Sequence, residues 1–423
     1  MNQLAGQLAP STSVADQVRT FYERYPYPQP LASLDQYGRR WNEARRRADF
    51  HLFWPARTYS DDYSILVAGC GTSQAAKHAM RWPAAEITGI DCSATSVRCT
   101  NQLKQQYGLS NLNVRQLDIE QVSDLKTNFD QIVCTGVLHH LSNPDAGLRA
   151  LCSVLKPGGA LHLMVYAPYG RTGIYMMQEF CKRVGIGATP EDIRELATTL
   201  NALPAEHPLA SLLSYVPDFR QEPTLADALL HPHDRAYSVP QLFEFLAKAE
   251  LSFGRWIRQA PYIVHCGAPA RIPQADRVSR LPTAEQYSAM ELFRGSMARH
   301  SLIAYRSSDH NPSDNITFAN DAWLEYVPIQ MPDTICIKDR LPAGVTAVLI
   351  NQAHTYRDLL LPIRAIEERL LSSIDGKRTI STIVKQTLPL SIHGSDALDV
   401  ARNFFEHLWW HDLVVFDTSR APA

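Results

Sequence analysis

Residues 64–73 read SILVAGCGTS, an apolar run that breaks into two glycines, and the meaning of that break decides the fold. Glycine at 69 and 71 lets the chain bend sharply and lets its backbone approach a ligand, because no Cβ intervenes. A glycine-rich turn is also an ordinary tight connection, so its weight comes from the pattern of the next hundred residues. Four more short runs rich in Ile, Val and Leu succeed it: AAEITGIDCS, NVRQLDIE, FDQIVCTGVLHHL and GALHLMVYA. Helical stretches separate them, among them SQAAKHAMRW, SATSVRCTNQLKQQYG and PDAGLRALCSVL. This alternation predicts βαβ units around a parallel sheet covered on both faces. The second strand ends in Asp91, twenty residues after Gly71, where a carboxylate can accept hydrogen bonds from a ribose diol. The third ends in LDIE, which carries Asp118 to the same edge. Ligands of open α/β sheets bind at the carboxyl ends of the strands, where these residues converge.

Taken in order, ILVAGCGTS, GID ending at Asp91, LDIE, VLHHL and LKPGG resemble the class I S-adenosylmethionine-dependent methyltransferases over about residues 60 to 308. The resemblance implies an α/β, Rossmann-like, seven-stranded sheet with a reversed last strand, for which HSLIAYRSS is the candidate. It implies S-adenosyl-L-methionine as cofactor. Ala68, Gly69, Cys70 and Gly71 would pass beside the methionine part, and Asp91 would hold the ribose hydroxyls with Cys92 next to it. Asp118 and the Ile119 backbone would meet adenine, and Cys134 and Thr135 would line the path to the methyl group. Two positions depart from the family pattern: Val67 stands where an acid is common, and Ser73 where a third glycine is frequent. Backbone carbonyls near Ala68 and Cys134 would then orient the cofactor's ammonium. A nicotinamide-dependent oxidoreductase is a rival with similar spacing, disfavoured by Gln74 in place of the third glycine of GxGxxG.

An activated methyl needs little beyond alignment and exclusion of water, plus a base if the acceptor is an amine or phenol. His139 and His140 end the fourth strand near the expected methyl, although a histidine there is more often a packing residue. Residues 229–238, LLHPHDRAYS, gather His231, His233, Asp234, Arg235 and Tyr237 between the inserted helices and the next core helix. His139, His140, His231 and Tyr237 are therefore the candidate catalytic residues. No metal is expected, since His-x-His-Asp lacks a clear further ligand, and the pair His407 and His411 flanks LWW in a packing context. The function read from these residues is methyl transfer to a nucleophilic N, O or S atom of a protein side chain or small metabolite. The alternative is a sensor that binds the cofactor without turnover.

Outside the sheet, residues 21–30 read FYERYPYPQP. Val14, Val18, Phe21, Tyr22 and Tyr25 form a helical stripe that Pro26 and Pro28 terminate. Residues 1–60, with a second basic helix in RRWNEARRRADFHLFW, are expected to cap the cofactor site, Tyr22 and Tyr25 closing on the sulfonium by cation–π attraction. Residues 61–308 are expected to form the methyltransferase-like domain, interrupted at 170–237 by a helical lid. A polar linker, SSDHNPSDN at 307–315, leads to a smaller α+β unit at 316–418, whose LLSSIDGKRTISTIVKQ resembles the winged-helix-like regulatory segment of bacterial protein (lysine) methyltransferases. Partners in view are a protein, peptide or small-molecule acceptor, or a second copy of the chain through the C-terminal unit. With 41 basic and 43 acidic residues, net −2, no global footprint of a nucleic-acid binder exists. The eight cysteines lie singly, which suits a reducing cytoplasm. MNQLAGQLAPSTSVADQ lacks a leader pattern, and no stretch reaches the ~18 to 20 apolar residues of a membrane span, so a soluble, cytoplasmic chain is expected.

Overall fold

The computed structural model describes residues 13–215, 219, 221–309, 316–388 and 395–421. Seven strands make one sheet: β1 Ser64–Ala68, β2 Glu86–Asp91, β3 Leu112–Gln116, β4 Phe129–Thr135, β5 Leu155–Tyr166, β6 Leu251–Trp256 and β7 Arg299–Arg306. Their order is β3-β2-β1-β4-β5-β7-β6, and β7 runs antiparallel to both neighbours while β1 to β5 pair in parallel. The reversed strand is HSLIAYRSS, as the resemblance implied. Period-two alternation builds two cores from each strand. Ile65 and Val67 enter one, Leu66 and Ala68 the other, and all four are fully buried.

Helices α1 Val14–Arg24, α2 Asp35–Gly38 and α3 Glu43–Phe53 precede the sheet, and α4 Gln74–Arg81, α5 Ala94–Tyr107 and α6 Pro144–Ser153 connect its strands. Ser13 caps α1 by accepting from the Asp16 amide, and the Tyr25 amide donates to the Phe21 carbonyl at the end that Pro26 enforces. After β5 come α7 Thr172–Val184, α8 Pro190–Leu200, α9 Pro208–Tyr215 and α10 Glu222–Leu229, a helical layer with its own apolar core of Ile174, Met177, Ile193, Leu196 and Leu225. Phe21 and Tyr25 of α1 join that core, so α1 and the inserted helices are one layer. Helix α11 Val239–Ala247 returns to the sheet, with the Ser238 amide donating to Gln241 at its start. Helices α12 Ala275–Ser279 and α13 Thr283–Arg294 precede β7.

FGRWIRQAPYIV is strand only to Trp256, because Pro261 has no amide to offer a ladder and the Ala260 amide is taken by Asp412. Most of the expected linker, residues 310–315, lies outside the described residues, as do residues 1–12.

The C-terminal unit is α+β. It holds β8 Val327–Gln330, β9 Thr334–Ile337, β10 Ala347–Asn351, β11 Leu361–Ile363, α14 Ala365–Ser372, α15 Ile380–Thr387, α16 Ser395–Trp410 and β12 Val414–Asp417. The final LVVFD pairs antiparallel with β8, while β9, β10 and β11 form a separate small sheet. LLPIRAIEERLLSSID begins as strand β11 and not as helix, with Pro362 on an edge strand opposite Val348, and the helix starts only after Arg364. This unit is docked on the sheet by a buried hub. Asp412 accepts from Arg255 Nη2 at 3.0 Å and the Ala260 amide at 3.0 Å, and it contacts His354 Nε2 at 3.1 Å. Its φ of 55° is the left-handed region, which Asn tolerates as well as Asp. Replacing one member of a buried pair leaves the other charge uncompensated. Asp412→Asn is therefore expected to lower unfolding free energy by ~3–5 kcal/mol in denaturant melts.

Candidate active site

The turn after β1 is held by contacts within the chain. Gly69 and Gly71 have φ of 68° and 54°. A Cβ on Gly69 would lie 2.3 Å from Val137 Cγ2, and one on Gly71 would lie 3.0 Å from the Tyr27 carbonyl oxygen. Glycine is required at both places, and at 71 the close approach is to the YPYP segment. Thr72 Oγ1 donates to the Pro28 carbonyl at 2.7 Å and Thr100 Oγ1 to the Gly71 carbonyl at 2.9 Å.

Asp91 closes the turn from the next strand. Its two oxygens accept the Gly71 amide at 2.8 Å and the Ser93 amide at 2.9 Å. Burial pushes its carboxyl up to about 6, the two amides acting in the opposite sense. Each carboxylate oxygen keeps a further lone pair, an arrangement that a vicinal diol matches. Asp118, at the end of the third strand, pairs with Arg19 of α1 at 3.0 Å, and Ile119 beside it is buried. Glu23 of α1 accepts from the Thr95 hydroxyl at 2.5 Å and from its amide at 3.3 Å. Helix α1 thus lies along the edge where ribose and adenine are expected. Ala68 and Cys70 are fully buried, with burial holding the Cys70 thiol well above its ordinary value; Cys92 is partly exposed. Cys134 is buried beneath the fourth strand end, and Thr135 Oγ1 accepts from Gln74 Nε2 at 2.7 Å. Gln74, which stands where a dinucleotide fingerprint has glycine, is thereby engaged inside the protein.

On the other side of α1 a polar chamber is built from four elements. Tyr22 on α1 donates to Asp227 Oδ1 on α10 at 3.1 Å, and the Tyr166 phenol at the end of β5 lies within electrostatic reach of that carboxylate. His140 and His231 stack with ring centroids 3.9 Å apart, and His231 lies 5.4 Å from the Tyr22 ring. His140 Nδ1 is 2.8 Å from the His233 carbonyl, which only accepts, so Nδ1 carries the proton. The His233 amide donates to His231 Nδ1 at 3.1 Å, so the proton of that neutral ring sits on Nε2. Arg171 stacks on the Tyr166 face, 3.5 Å from the centroid, and pairs with Asp234 at 2.9 Å.

Burial governs the charges. It pushes Asp227 up to about 7, opposed by the Tyr22 hydrogen bond and Arg171. It pulls His140 down to about 4 and His231 further, so both rings are neutral near pH 7. Tyr22 and Tyr166 are held well above the ordinary phenol range by burial and then by Asp227.

Three expected residues, Tyr22, His140 and His231, meet in this chamber. His139 stacks behind it, 3.9 Å from Tyr166 and 4.2 Å from His140, fully buried, with no hydrogen-bond partner at either nitrogen among the described residues. Tyr25 and Tyr237 lie elsewhere. The Tyr25 hydroxyl donates to the Ala188 carbonyl at 2.7 Å within the helical layer, because its helical position faces the inserted helices. Tyr237 stacks on Phe245 in the sheet core, because it opens the segment leading into α11. Asp227, Tyr166 and Arg171 went unread in the sequence. Asp227 had a signal: it is a lone carboxylate inside the apolar run Leu225, Ala226, Ala228, Leu229.

His140, Asp227 and His231 each bring a ligating atom to within 4.8 Å of the other two, dimensions that suit a metal ion. The proton on His231 Nε2 opposes that use. Ligation there would move it to Nδ1, against the His233 amide.

Residues 59–200 match the family described as methyltransferase domain, and this part of the chain is a methyltransferase domain in sequence and in topology. An uncharacterized protein of Synechococcus sp. is 33% identical over 251 residues, covering 57% of this chain and 60% of that one. A ubiquinone biosynthesis O-methyltransferase of Coxiella burnetii is 30% identical, covering 29% of this chain and 54% of its own. The chain spans less than two thirds of the length of these curated relatives. Among solved structures, PKMT2 from Rickettsia typhi is similar with a TM-score of 0.63 at 14% identity, covering 90% of this chain and 75% of that one, a likeness of fold.

A carboxyl raised in the folded state favours the protonated protein, so its stabilising effect is complete below the unfolded value near 4 and lost as pH rises through about 7. Asp227→Asn removes this dependence. The stability of the wild type relative to the variant is expected to fall by roughly 2–4 kcal/mol between pH 5 and 8 in parallel thermal melts. Tyr25→Phe leaves the Ala188 carbonyl unpaired and is expected to cost ~1–3 kcal/mol of stability while cofactor affinity, read by calorimetry, stays unchanged.

Proposed function

We propose that this chain, whose residues 59–200 are a methyltransferase domain, uses S-adenosyl-L-methionine to methylate a nucleophilic N, O or S atom of a protein side chain or small metabolite. The observation that carries this reading is the shared wall between two half-sites. Along one helix, Arg19 and Glu23 grip the Asp118 and Thr95 edge, while Tyr22, between them, reaches Asp227 in the chamber.

The residues at the strand ends suit the cofactor. Asp91 has lone pairs for the ribose hydroxyls, Asp118 and the Ile119 backbone lie where adenine is read, and the Gly69–Gly71 turn borders the methionine part. The bound cofactor supplies a methyl group on a sulfonium that carries its own leaving group. What remains for the protein is to seat the acceptor in line and keep water out. Helix α1 and the inserted helices do this by enclosing Tyr22, His140, Tyr166, Asp227 and His231 at the ends of β4 and β5. Val67 is fully buried in the core, so no carboxylate from that position reaches the cofactor.

All eight cysteines are free, and no helix among the described residues is long and apolar enough to cross a membrane. Both facts support a cytoplasmic setting. The C-terminal unit, with its acidic Glu367 and Glu368 and few exposed cations on α15, supports protein contact over nucleic acid.

Calorimetry with S-adenosylmethionine and its demethylated product tests binding, and radiolabelled cofactor with a size-fractionated extract tests turnover. Asp91→Asn is expected to weaken cofactor binding by about 10- to 100-fold, the worth of charge-assisted hydrogen bonds at ~1.5–3 kcal/mol. Unchanged affinity in that variant would remove Asp91 from the site, and binding without label transfer to any fraction would favour the sensor.

A further inference from the structure

We propose that strand β9 is a docking edge for a second copy of this chain, and that the two β9 strands pair antiparallel about Cys336.

An edge strand offers a row of backbone amides and carbonyls to any other strand, and folded proteins guard such edges with proline, charge, irregularity or cover. The other edges of this molecule carry guards. Pro362 in β11 and Pro328 in β8 have no amide to give. β3 bounds the large sheet on one side and exposes Asn113, Arg115 and Gln116. β6 bounds it on the other side, and its register with β7 shifts between Phe253 and Arg255. β12 is buried along its length.

β9 lacks these devices. It closes the small sheet in the order β11-β10-β9, and among the described residues no strand pairs with its outer edge. Ile335, Cys336 and Ile337 are all exposed, the two isoleucines by 39% each. The charges that flank the strand are engaged inside the chain. Lys338 pairs with Glu368 on α14 at 2.5 Å, and Asp333 with Arg45 on α3 at 2.7 Å.

The apolar surface reaches beyond the edge. Residues directly opposite on neighbouring strands share a face. Ile335 lies opposite Ile350, Ile337 opposite Val348, and Val348 opposite Pro362. Val348 and Ile350 are partly exposed and Pro362 is exposed, so one face of the small sheet is apolar across all three strands. The other face carries Ala347 and Leu349 into the core of the C-terminal unit. The outer apolar row stops at β9, where a further strand would continue it.

A second β9 fits that place. Antiparallel copies related by a twofold axis perpendicular to the sheet keep opposed residues on one face only if the axis passes through a residue. With the axis at Cys336, that residue meets its own copy, Ile335 meets Ile337 of the second copy, and Thr334 meets Lys338. Apolar groups then oppose apolar groups, no like charges oppose one another from Thr334 to Lys338, and the two outer faces become one. The contact is closed, since it uses the free edge of each copy and leaves none for a third. Cys336 reports the register. Opposed residues of antiparallel strands have Cα atoms about 4.5 to 5.5 Å apart, within the ~4.4 to 6.8 Å that a disulfide spans. Cys336 is exposed, whereas the other seven cysteines are buried or partly exposed.

The full chain is tested by sedimentation equilibrium and by mild oxidation with diamide, which takes up the two thiol hydrogens as the sulfur–sulfur bond forms. The expected result is a mass that rises with concentration from 47.5 kDa towards twice that value. Oxidation should give a covalent dimer that reductant reverses and Cys336→Ser abolishes. Two charge variants test the register without the thiol. Ile335→Lys with Ile337→Lys, and Ile335→Glu with Ile337→Glu, each set like charges opposite one another and are expected to weaken association about 10-fold. Mixed in equal amounts they should recover a heterodimer, because an ammonium then opposes a carboxylate at both positions, and that recovery also shows that both variants fold. A wild-type chain that stays at 47.5 kDa at every concentration would overturn the proposal. So would a dimer indifferent to the charge variants, a mixture of them that stays monomeric, or an oxidised dimer that survives Cys336→Ser. A monomer that takes up an unrelated extended peptide along β9 would overturn it as well.

Discussion

A parallel sheet gathers the carboxyl ends of its strands on one edge, and the rest of this molecule is arranged around that constraint. The crossovers return β1 to β5 in the same direction, so the turns after these strands open on one side. Asp91, Asp118, Thr135, His140 and Tyr166 are neighbours for that reason, although 75 residues separate the first from the last. Covering both faces consumes the apolar residues of every strand and leaves the open edge as the place where polar groups collect.

That edge is not left to solvent. Helix α1 crosses it and joins the inserted helices in one apolar layer through Phe21 and Tyr25. The polar face of the same helix supplies Arg19, Tyr22 and Glu23, each with a partner on a different element. Packing free energy from the apolar face thus holds a polar set that would be too weak to order itself at the surface. The chamber beneath it carries a stability cost. A buried carboxylate hydrogen-bonded to a phenol, two stacked neutral imidazoles, and His139 without a hydrogen-bond partner among the described residues are all poor choices for a core. Groups of this kind persist where chemistry uses them.

The C-terminal unit is tied to the sheet far from that edge. Asp412, in a left-handed conformation, collects Arg255, the Ala260 amide and His354, and Asp417 lies 3.6 Å from His51. Val415 and Ile329 extend the sheet's second core into the unit. Through these contacts the two parts share a core, and the unit is a continuation of the fold more than a tethered appendage.

Much of this was legible in the chain itself. Short apolar runs rich in Ile, Val and Leu, the glycines at 69 and 71 and the acids at 91 and 118 specified the sheet and its ligand edge, because strand burial and tight turns impose local chemistry. FYERYPYPQP could be read as a helix ending at Pro26, and its place over the edge followed from the resemblance. The division of its tyrosines could not be read there. Tyr22 and Tyr25 are three residues apart, nearly on one helical face, yet one enters the chamber and the other the helical layer. Tyr237 likewise looked like a member of a polar run and is core. The partnership of Asp227 with Tyr22, 205 residues away, has no local signature beyond an acid among apolar neighbours. Local sequence determines which element forms and which face is apolar. Which polar group meets which is decided only when distant elements pack, since a hydrogen bond over that separation depends on geometry the whole fold creates.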